Sequence, residues 1–299
     1  MKYVFIVNGM AGKESIRTRL AEQLKQNQTP FEYEIYATKA KRDATSYVAE
    51  CCQKAPEEEI CFVACGGDGT INEVVNGVMH QPNKCFAVLA FGTGNDFVKY
   101  YPDRNFLSLE QLLKGKKQKI DAIRVNNSYA INVVNFGFES IVCSNANRLK
   151  EHGYSGKSAY VRSIPKALFS GRRNAITIWA DGEKITKDRM LLCTFANCKF
   201  VGGQYQCAPL ADNSDGWMEV CLMHPMSLLR FLRMIGYYER GEHLKQKGLV
   251  NHCVYRRAKT AKITSQKVIE ACLDGEMYAG TEFDLEILPR AVEIVLPQA

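Results

Sequence analysis

The chain has 299 residues, of which 46% are hydrophobic and 24% are charged, and it carries a formal net charge of +7. These values are typical of a soluble globular protein, and the length allows two lobes with sizeable cores. No apolar run approaches the length that crosses a bilayer, and the first residues lack the basic region and cleavage site of a signal peptide. We therefore expect a cytoplasmic protein without a transmembrane segment.

Twelve cysteines are scattered, mostly inside apolar segments that look like strands, and no Cys-x-x-Cys pair occurs. Their spacings do not match those of zinc ligands. We therefore interpret the cysteines as buried, reduced thiols that pack as small hydrophobic side chains.

Basic residues gather in three stretches, over residues 114–119, 148–173 and 230–262. Solvated faces usually explain such clusters, although attraction to ATP or to an anionic membrane surface stays open. Nucleic acid is not an expected partner, because no reading motif interleaves aromatic residues with the basic ones.

Strand and helix signals alternate over about the first 120 residues. Strands are predicted over residues 3–8, 33–37, 59–64 and 85–91, and helices over residues 14–26, 43–53 and directly after Gly69. Short strands separated by helices predict a parallel α/β layer that binds its ligands at the carboxyl ends of the strands.

A glycine-rich loop follows the third predicted strand, where residues 65–70 read Cys-Gly-Gly-Asp-Gly-Thr. A strand, a glycine loop and a helix in this order present backbone N–H groups and a helix N-terminus to a phosphate. Thr70 and Glu73 have the spacing of a capping box, which predicts that they fix the start of the helix. Asp68 would repel a phosphate unless it carries a metal ion or a proton, so it indicates metal-assisted nucleotide chemistry. The alternative is a turn-rich loop with an acid at the helix N-terminus.

A second glycine loop, residues 92–96 (Gly-Thr-Gly-Asn-Asp), follows the next predicted strand. Turn chemistry explains this loop equally well when it is taken alone. Because it comes one strand–helix step after the first loop, neighbouring strands are expected to direct both loops into one crevice. A third loop, residues 8–13, is not a Walker A motif, because Val7 stands where a glycine is required; a standard P-loop NTPase is excluded.

The pattern changes near residue 121, where many β segments begin. Strands are predicted over residues 121–125, 129–136, 175–180, 190–198, 218–223, 260–265 and 271–273, helices over 160–169 and 227–239, and two short strands within 285–296. This profile predicts an antiparallel, β-rich second lobe. Residues 274–276 (Asp-Gly-Glu) follow a predicted strand, and a hairpin turn explains them as well as a functional role does.

Together, the linked motifs resemble the catalytic-domain family of the diacylglycerol kinases, which includes soluble bacterial lipid kinases and the sphingosine and ceramide kinases. The resemblance runs in order over nearly the whole chain, through Asn8 and Gly12, residues 66–70, Asn72 and Glu73, and residues 92–96, 202–203, 208–216, 274–276 and 286–289. It implies an α/β N-terminal lobe like that of phosphofructokinase and NAD kinase, with a mostly parallel sheet. It also implies an antiparallel β-sandwich C-terminal lobe and an active site in the cleft between the lobes.

The expected domains are a nucleotide-binding lobe over residues 1–121, a lipid-substrate lobe over 122–284, and a segment over 285–299 that returns toward the first lobe. Glu276 matches the family's proposed proton acceptor, and Asp68 is the second predicted catalytic acid. The residues predicted to bind the nucleotide are Asn8, Thr38, Gly66, Gly67, Asp68, Gly69, Thr70, Glu73, Thr93, Asn95 and Asp96. A structural magnesium site is implied at the side chain of Asp215 and the backbone carbonyls of Asp212 and Trp217.

The implied activity is transfer of the γ-phosphate of ATP, with Mg²⁺, to a lipid hydroxyl in phospholipid metabolism. Diacylglycerol, which would give phosphatidic acid, is the default substrate. Phosphatidylglycerol, a sphingoid base or a polyprenol stays open, because apolar pockets discriminate poorly. Peripheral contact with a membrane is expected through residues 226–235 or 160–173, and a homodimer stays open.

Two alternatives come from other classes of protein. An NAD kinase shares the Gly-Gly-Asp-Gly-Thr motif, but it is not expected to combine that motif with the second loop and a terminal Asp-Gly-Glu. An inert lipid-binding regulator is disfavoured because Asp68, Asp96 and Glu276 occur together.

Overall fold

The computed structural model describes residues 1–9, 13–92, 94–154, 156–170, 175–187 and 189–299. The chain forms two compact units, one from Met1–Ile120 with Arg290–Ala299 and the other from Asp121–Pro289. The helices are α1 Lys13–Gln26, α2 Asp43–Lys54, α3 Asp68–Val78, α4 Leu109–Leu113, α5 Phe138–Glu151, α6 Gly156–Ser170, α7 Leu228–Glu239 and α8 Lys247–Val250. The strands are β1 Lys2–Val7, β2 Tyr33–Ala37, β3 Ile60–Cys65, β4 Lys84–Leu89, β5 Lys116–Val125, β6 Ser128–Ala130, β7 Val133–Gly137, β8 Thr177–Ala180, β9 Glu183–Lys184, β10 Leu192–Ala196, β11 Phe200–Val201, β12 Tyr205–Gln206, β13 Met218–Met223, β14 Cys253–Ala258, β15 Thr260–Leu273 and β16 Glu276–Leu296.

The first unit contains a parallel sheet in the order β2-β1-β3-β4, and Ile294 near the end of β16 lies beside Phe86 of β4. Every residue of β3 and of β4 is buried, as is usual for parallel strands that are covered on both faces. The strand order reverses direction at β1, and such a switch point lies where α/β sheets bind ligands. The predicted parallel α/β lobe is confirmed.

Helices α1, α2 and α3 follow the first three strands of this unit. On α1, Ile16 and Leu20 are buried in the same cluster as Phe5, and full burial of such a side chain contributes about 1.5–3 kcal/mol. On α3, a Cβ at Gly77 would lie 2.6 Å from the Cβ of Val48 on α2. A residue without a side chain at this position therefore lets α2 and α3 pack closely.

The second unit is an antiparallel β structure, as predicted. Strand β15 pairs with β8 through its first residues and with β7 through its last ones, and the register shifts between Thr264 and Ile269. The long strand therefore pairs with a different neighbour at each of its two ends. A core of Phe136, Phe195 and Phe283 with aliphatic side chains fills the interior of this unit.

Several predicted elements differ from the observed ones. The predicted strand over 129–136 is two strands, β6 and β7, whereas the pairs predicted over 260–273 and 285–296 are parts of the continuous strands β15 and β16. Helix α5 and strand β14 were not predicted. The sequence of α5 is rich in Ser and Asn, which have low helix propensity, so packing against its neighbours determines the helix.

Within the described ranges, no helix combines the length and the apolar composition needed to span a bilayer. The twelve cysteines are free thiols, and nine of them are buried. Their burial agrees with the predicted role as small hydrophobic side chains.

Candidate functional site

The two glycine loops lie side by side at the carboxyl ends of the neighbouring strands β3 and β4. The N–H of Gly92 donates a hydrogen bond to the carbonyl of Gly66 at 3.0 Å. A Cβ added to Gly92 would lie 2.4 Å from the Cα and 2.6 Å from the N of Gly67. Since real Cβ atoms do not approach backbone atoms so closely, this contact between the loops requires glycine.

Asp68 joins the two loops. It lies in the first turn of α3, where the helix dipole stabilises a negative charge. Its Oδ1 atom accepts hydrogen bonds from the N–H groups of Asp96 at 2.7 Å and Phe97 at 3.3 Å. The carboxylate thus fixes the backbone that follows the second loop.

Asn95 and Asp96 have different environments within the second loop. Asn95 has a φ of 52°, and its side-chain amide donates to the carbonyls of Gly92 at 2.7 Å and Ala90 at 3.1 Å. The carboxylate of Asp96 pairs with Lys99 at 2.6 Å. Thr93, predicted to bind the nucleotide, lies outside the described residues.

The ends of β1 and β2 bring two further predicted residues to the same edge of the sheet. The N–H of Asn8 donates to the carbonyl of Cys65, at the end of β3, at 3.4 Å. The hydroxyl of Thr38 accepts from the N–H of Gly9 at 3.0 Å, and a Cβ at Gly9 would lie 2.0 Å from the Thr38 carbonyl oxygen. Asn8 and Thr38 therefore lie at the edge that carries the glycine loops.

The predicted capping box is wrong. Helix α3 begins at Asp68 with Gly67 as its N-cap, and Thr70 lies inside the helix. The carboxylate of Glu73 instead accepts from the N–H groups of Arg42 at 2.9 Å and Ala44 at 3.1 Å, at the start of α2. Because α2 packs beside α3, Glu73 caps the neighbouring helix and not its own.

The residues Asp274 and Gly275 form a two-residue hairpin turn between β15 and β16, with φ values of 48° and 95°. The buried carboxylate of Asp274 accepts from the backbone N–H groups of Ile131 at 2.8 Å, Asn132 at 3.1 Å and Val133 at 2.8 Å. These three bonds fix the turn in position. Glu276 is the first residue of β16 and is half-buried.

Two residues of α5 that the sequence did not indicate also contact this turn. The carbonyl of Gly275 accepts from the side-chain amide of Asn147 at 3.1 Å and from the thiol of Cys143 at 3.5 Å. Since α5 was not predicted, no local signal connected either residue with the turn.

The residues of the implied structural magnesium site have other partners. The carboxylate of Asp215 pairs with the guanidinium of Arg257 at 3.1 Å and accepts from the N–H of Trp217 at 3.0 Å. The carboxylate of Asp212 accepts from the N–H and the hydroxyl of Ser214. In the part of the chain that the structure describes, no three Cys, His, Asp or Glu side chains come together to hold a metal ion. These contacts do not test the implied set of one carboxylate and two backbone carbonyls, so the structural magnesium site stays a prediction.

A buried acid lies beneath the helices of the second unit. Glu139, in the first turn of α5, accepts hydrogen bonds from the hydroxyls of Tyr238 at 2.7 Å and Thr194 at 2.5 Å. Burial raises the pKa of the Glu139 carboxyl above its ordinary value. Between the ordinary and the raised pKa, the folded protein therefore retains a proton that the unfolded chain releases.

Replacement of this acid, Glu139→Gln, should make stability less dependent on pH. The wild-type free energy of unfolding should fall as the pH rises above about 4.5, the ordinary pKa, until the pH passes the raised pKa of the folded state. At neutral pH we expect the variant to be more stable than the wild type, and near pH 4 the two should converge. Urea unfolding followed by the fluorescence of Trp179 and Trp217 measures this difference. Glu239→Gln on α7 is the control, and a difference that does not change with pH would contradict the prediction.

Comparison with family models matches both parts of the chain. Residues 2–125 match the model of the diacylglycerol kinase catalytic domain. Residues 132–296 match the model described as the YegS C-terminal NAD kinase beta sandwich-like domain. The two matches together cover the elements that carry the glycine loops and the Asp-Gly-Glu turn.

Curated relatives and solved structures agree with these matches. The diacylglycerol kinase of Bacillus subtilis (strain 168) is 30% identical, over 98% of this chain and 95% of the relative. The diacylglycerol kinase of Staphylococcus carnosus (strain TM300) is 26% identical, over 98% and 94%. A crystal structure of a diacylglycerol kinase from Bacillus anthracis str. Sterne has the same fold, with a TM-score of 0.68, 21% identity, and coverage of 99% of this chain and 96% of that one. The resemblance found in the motifs is thereby confirmed, and the chain belongs to the diacylglycerol kinase family of lipid kinases.

Proposed function

We propose that this lipid kinase transfers the γ-phosphate of ATP to the hydroxyl of diacylglycerol and forms phosphatidic acid. The contact between the two glycine loops carries the proposal, because it brings two glycine-rich turns and the N-terminus of α3 together at the carboxyl ends of neighbouring parallel strands, the edge at which α/β sheets bind ligands. The choice of diacylglycerol is supported by the names of two relatives, the diacylglycerol kinases of Bacillus subtilis and Staphylococcus carnosus.

The first unit would bind the nucleotide. The loop N–H groups and the N-terminus of α3 would hold the phosphates, since both favour anions. Phosphoryl transfer depends mainly on positioning and on neutralising charge, so a rigid pair of loops is suited to it. The proposed nucleotide-binding residues are Asn8, Thr38, Gly66, Gly67, Asp68, Gly69, Thr70, Glu73, Thr93, Asn95 and Asp96. Glu73 would act indirectly, by fixing the start of α2 beside α3.

Mg²⁺ is the proposed cofactor, with Asp68 as the residue that would hold it. Carboxylate oxygens are the ligands that Mg²⁺ prefers, and Asp68 lies against both loops. Asp96 is the weaker candidate, because its carboxylate is paired with Lys99. When bound, the ion would neutralise charge on the phosphates.

Glu276 would accept the proton of the lipid hydroxyl. A carboxylate is a weak base for an alcohol, so we expect proton transfer late, as the oxygen–phosphorus bond forms. The half-buried position of Glu276 at the start of β16 and the three hydrogen bonds that fix Asp274 support a defined orientation of its side chain.

The direct test is incubation of the purified protein with labelled ATP, Mg²⁺ and a total lipid extract. Label recovered in phosphatidic acid would support the proposal. Label in another phospholipid, a sphingoid base or a polyprenol would show that this lipid is the substrate instead of diacylglycerol. Transfer to NAD but to no lipid would overturn the proposal.

The variant Asp68→Asn separates two roles of the same carboxylate. Asparagine keeps an oxygen that can accept from the N–H groups of Asp96 and Phe97, so we expect the loops to keep their positions. It lacks the charge, so kcat should fall by about 10²-fold or more, if charge at this position is needed for transfer. Steady-state kinetics at several Mg²⁺ concentrations measure the effect. Full activity with unchanged Mg²⁺ dependence would show that Asp68 only connects the loops.

Contact with the lipid surface is proposed through α7. One face of this helix buries Phe231 and Met234, whereas Leu229 and Leu232 are 82% and 54% exposed. Arg233 lies on the exposed face, one turn from Leu229. Exposed leucines beside a basic residue suit an anionic lipid surface. The other predicted segment, 160–173, includes residues 171–173, which lie outside the described residues.

Introduction of a charge on α7, Leu229→Glu, should weaken binding to vesicles that contain phosphatidylglycerol. Burial of one leucine side chain in the lipid surface contributes about 1.5–3 kcal/mol, so its loss corresponds to roughly 10- to 100-fold weaker binding of the protein to the vesicles. Flotation of the protein with the vesicles measures the bound fraction. Val268→Glu is the matched control, because Val268 is also an exposed apolar residue, at 68%. Equal loss in both variants would contradict a specific role of α7.

A further inference from the structure

Two cysteines of the second unit have their sulfur atoms in contact. Cys143 lies on α5, Cys272 lies near the end of β15, and their Sγ atoms are 2.9 Å apart. A disulfide needs about 2.0 Å, so an approach of about 1 Å would allow the bond. Helix α5 packs directly on β15, so no rearrangement of the fold is needed to bring the two thiols together.

The two thiols differ in exposure. Cys143 is half-buried and within reach of a small solute, whereas Cys272 is only 3% exposed. The hydrogen bond with Cys143 and burial raise the pKa of the Cys272 thiol well above its usual value. Cys143 is therefore the thiol that an oxidant would meet first, and Cys272 is the partner held beside it.

The pair is connected to the turn that carries Glu276. Cys272 precedes Asp274 by two residues, and the thiol of Cys143 donates to the carbonyl of Gly275 at 3.5 Å. Asn147, one turn along α5, donates to the same carbonyl at 3.1 Å. A shift of α5 would therefore change the hydrogen bonds that hold Gly275, the residue before Glu276.

We propose that Cys143 and Cys272 are a modification site, an oxidisable pair of thiols whose disulfide ties α5 to the Glu276 hairpin and slows phosphoryl transfer. The oxidant is a hydroperoxide. Its O–O bond breaks, an S–O bond forms at Cys143, and the peroxide leaves as an alcohol or water. The sulfur of Cys272 then attacks that of Cys143, the S–O bond breaks, and hydroxide leaves with the Cys272 proton as water. In total two thiols give up two electrons and two protons to one peroxide.

The disulfide would act on the hairpin in two ways. It removes the S–H group that donates to Gly275, and it draws α5 and β15 closer at this position. Loss or distortion of one hydrogen bond at a catalytic hairpin predicts a decrease in kcat of about threefold to tenfold. The KM for ATP should not change, because the glycine loops belong to the other unit. This effect on turnover depends on the proposed function, whereas formation of the disulfide does not.

Peptide mapping tests the site without an activity assay. Trypsin releases Cys143 in the peptide 125–148 and Cys272 in the peptide 268–290, and each contains a single cysteine. After treatment of the full chain with hydrogen peroxide, the two peptides should appear joined, and dithiothreitol should separate them. If the treated protein does not contain the joined peptide while Cys143 is oxidised, the proposal is overturned.

Kinetics test the effect on the hairpin. For each protein we compare kcat after peroxide with kcat of the same protein after reduction. The wild type should lose activity reversibly, and Cys143→Ser and Cys272→Ser should each give a ratio near one. Cys51→Ser, which removes a half-buried thiol on α2, is the matched control and should respond as the wild type does.

The outcomes distinguish the two proposals. A joined peptide with an unchanged ratio of activities would overturn the effect on phosphoryl transfer. A joined peptide in a protein that phosphorylates no lipid would support the thiol pair and overturn the proposed function.

Discussion

Replacement of Glu276 by alanine should lower lipid turnover by about 10²- to 10⁴-fold, the usual contribution of a general base. Glu276 is the first residue of β16 and directly follows a turn that three hydrogen bonds to Asp274 hold in place. The hairpin should therefore keep its position in the variant, and the lower turnover would reflect the missing carboxylate. ATP affinity should stay within about twofold, because the proposed nucleotide-binding residues all belong to the other unit. Steady-state kinetics and equilibrium binding of ATP measure the two effects separately.

Two further variants make this result specific. Glu276→Gln keeps the shape of the side chain and should lose nearly as much activity, since it cannot accept the proton. Glu282→Gln removes a carboxylate from the same strand, where Glu282 is exposed and pairs with Lys262, and should retain activity. Near-normal turnover in Glu276→Ala, or loss of ATP binding, would remove Glu276 from the proposed mechanism.

A methyl group at Gly92 should weaken nucleotide binding in the proposed site. The Cβ of Gly92→Ala would lie 2.4 Å from the Cα of Gly67, a backbone atom that cannot rotate away. The two loops would have to separate, and overpacking of this kind costs about 1–3 kcal/mol. If this free energy destabilises the loop arrangement that binds ATP, the affinity for ATP decreases by about 10- to 100-fold, and turnover decreases by more. Isothermal titration with ATP and lipid kinase assays measure the effects.

The matched control is Gly248→Ala, because a Cβ at Gly248 meets nothing within 4 Å. This variant should bind ATP and melt as the wild type does. The melting temperature of Gly92→Ala decides whether lost binding reflects the loops or general unfolding. An affinity equal to that of the wild type would show that the close contact of the loops is not needed for the nucleotide.

Much of the fold could be predicted because its signals are local. Alternating strand and helix patterns predicted the parallel sheet of the first unit, and β2 and β13 have the predicted boundaries. Other boundaries shifted, by one residue at β1 and α2 and by four or five residues at the starts of α6 and β5. Helix α5 could not be predicted, since its Ser- and Asn-rich sequence favours a helix only when the adjoining sheet covers one face.

For the candidate site, the sequence by itself determined the residue types: glycines that let two loops touch, an acid at a helix N-terminus, and an Asp-Gly turn before Glu276. Only the tertiary structure decided the partners. It placed Glu73 at the start of a neighbouring helix, Arg257 on Asp215, and Cys143 on the hairpin, across separations of 31, 42 and 132 residues. Glycine and turn conformations depend on a few adjacent residues, and a sequence displays them. The contacts of charged and thiol side chains depend on how distant elements pack, and no local pattern records that packing.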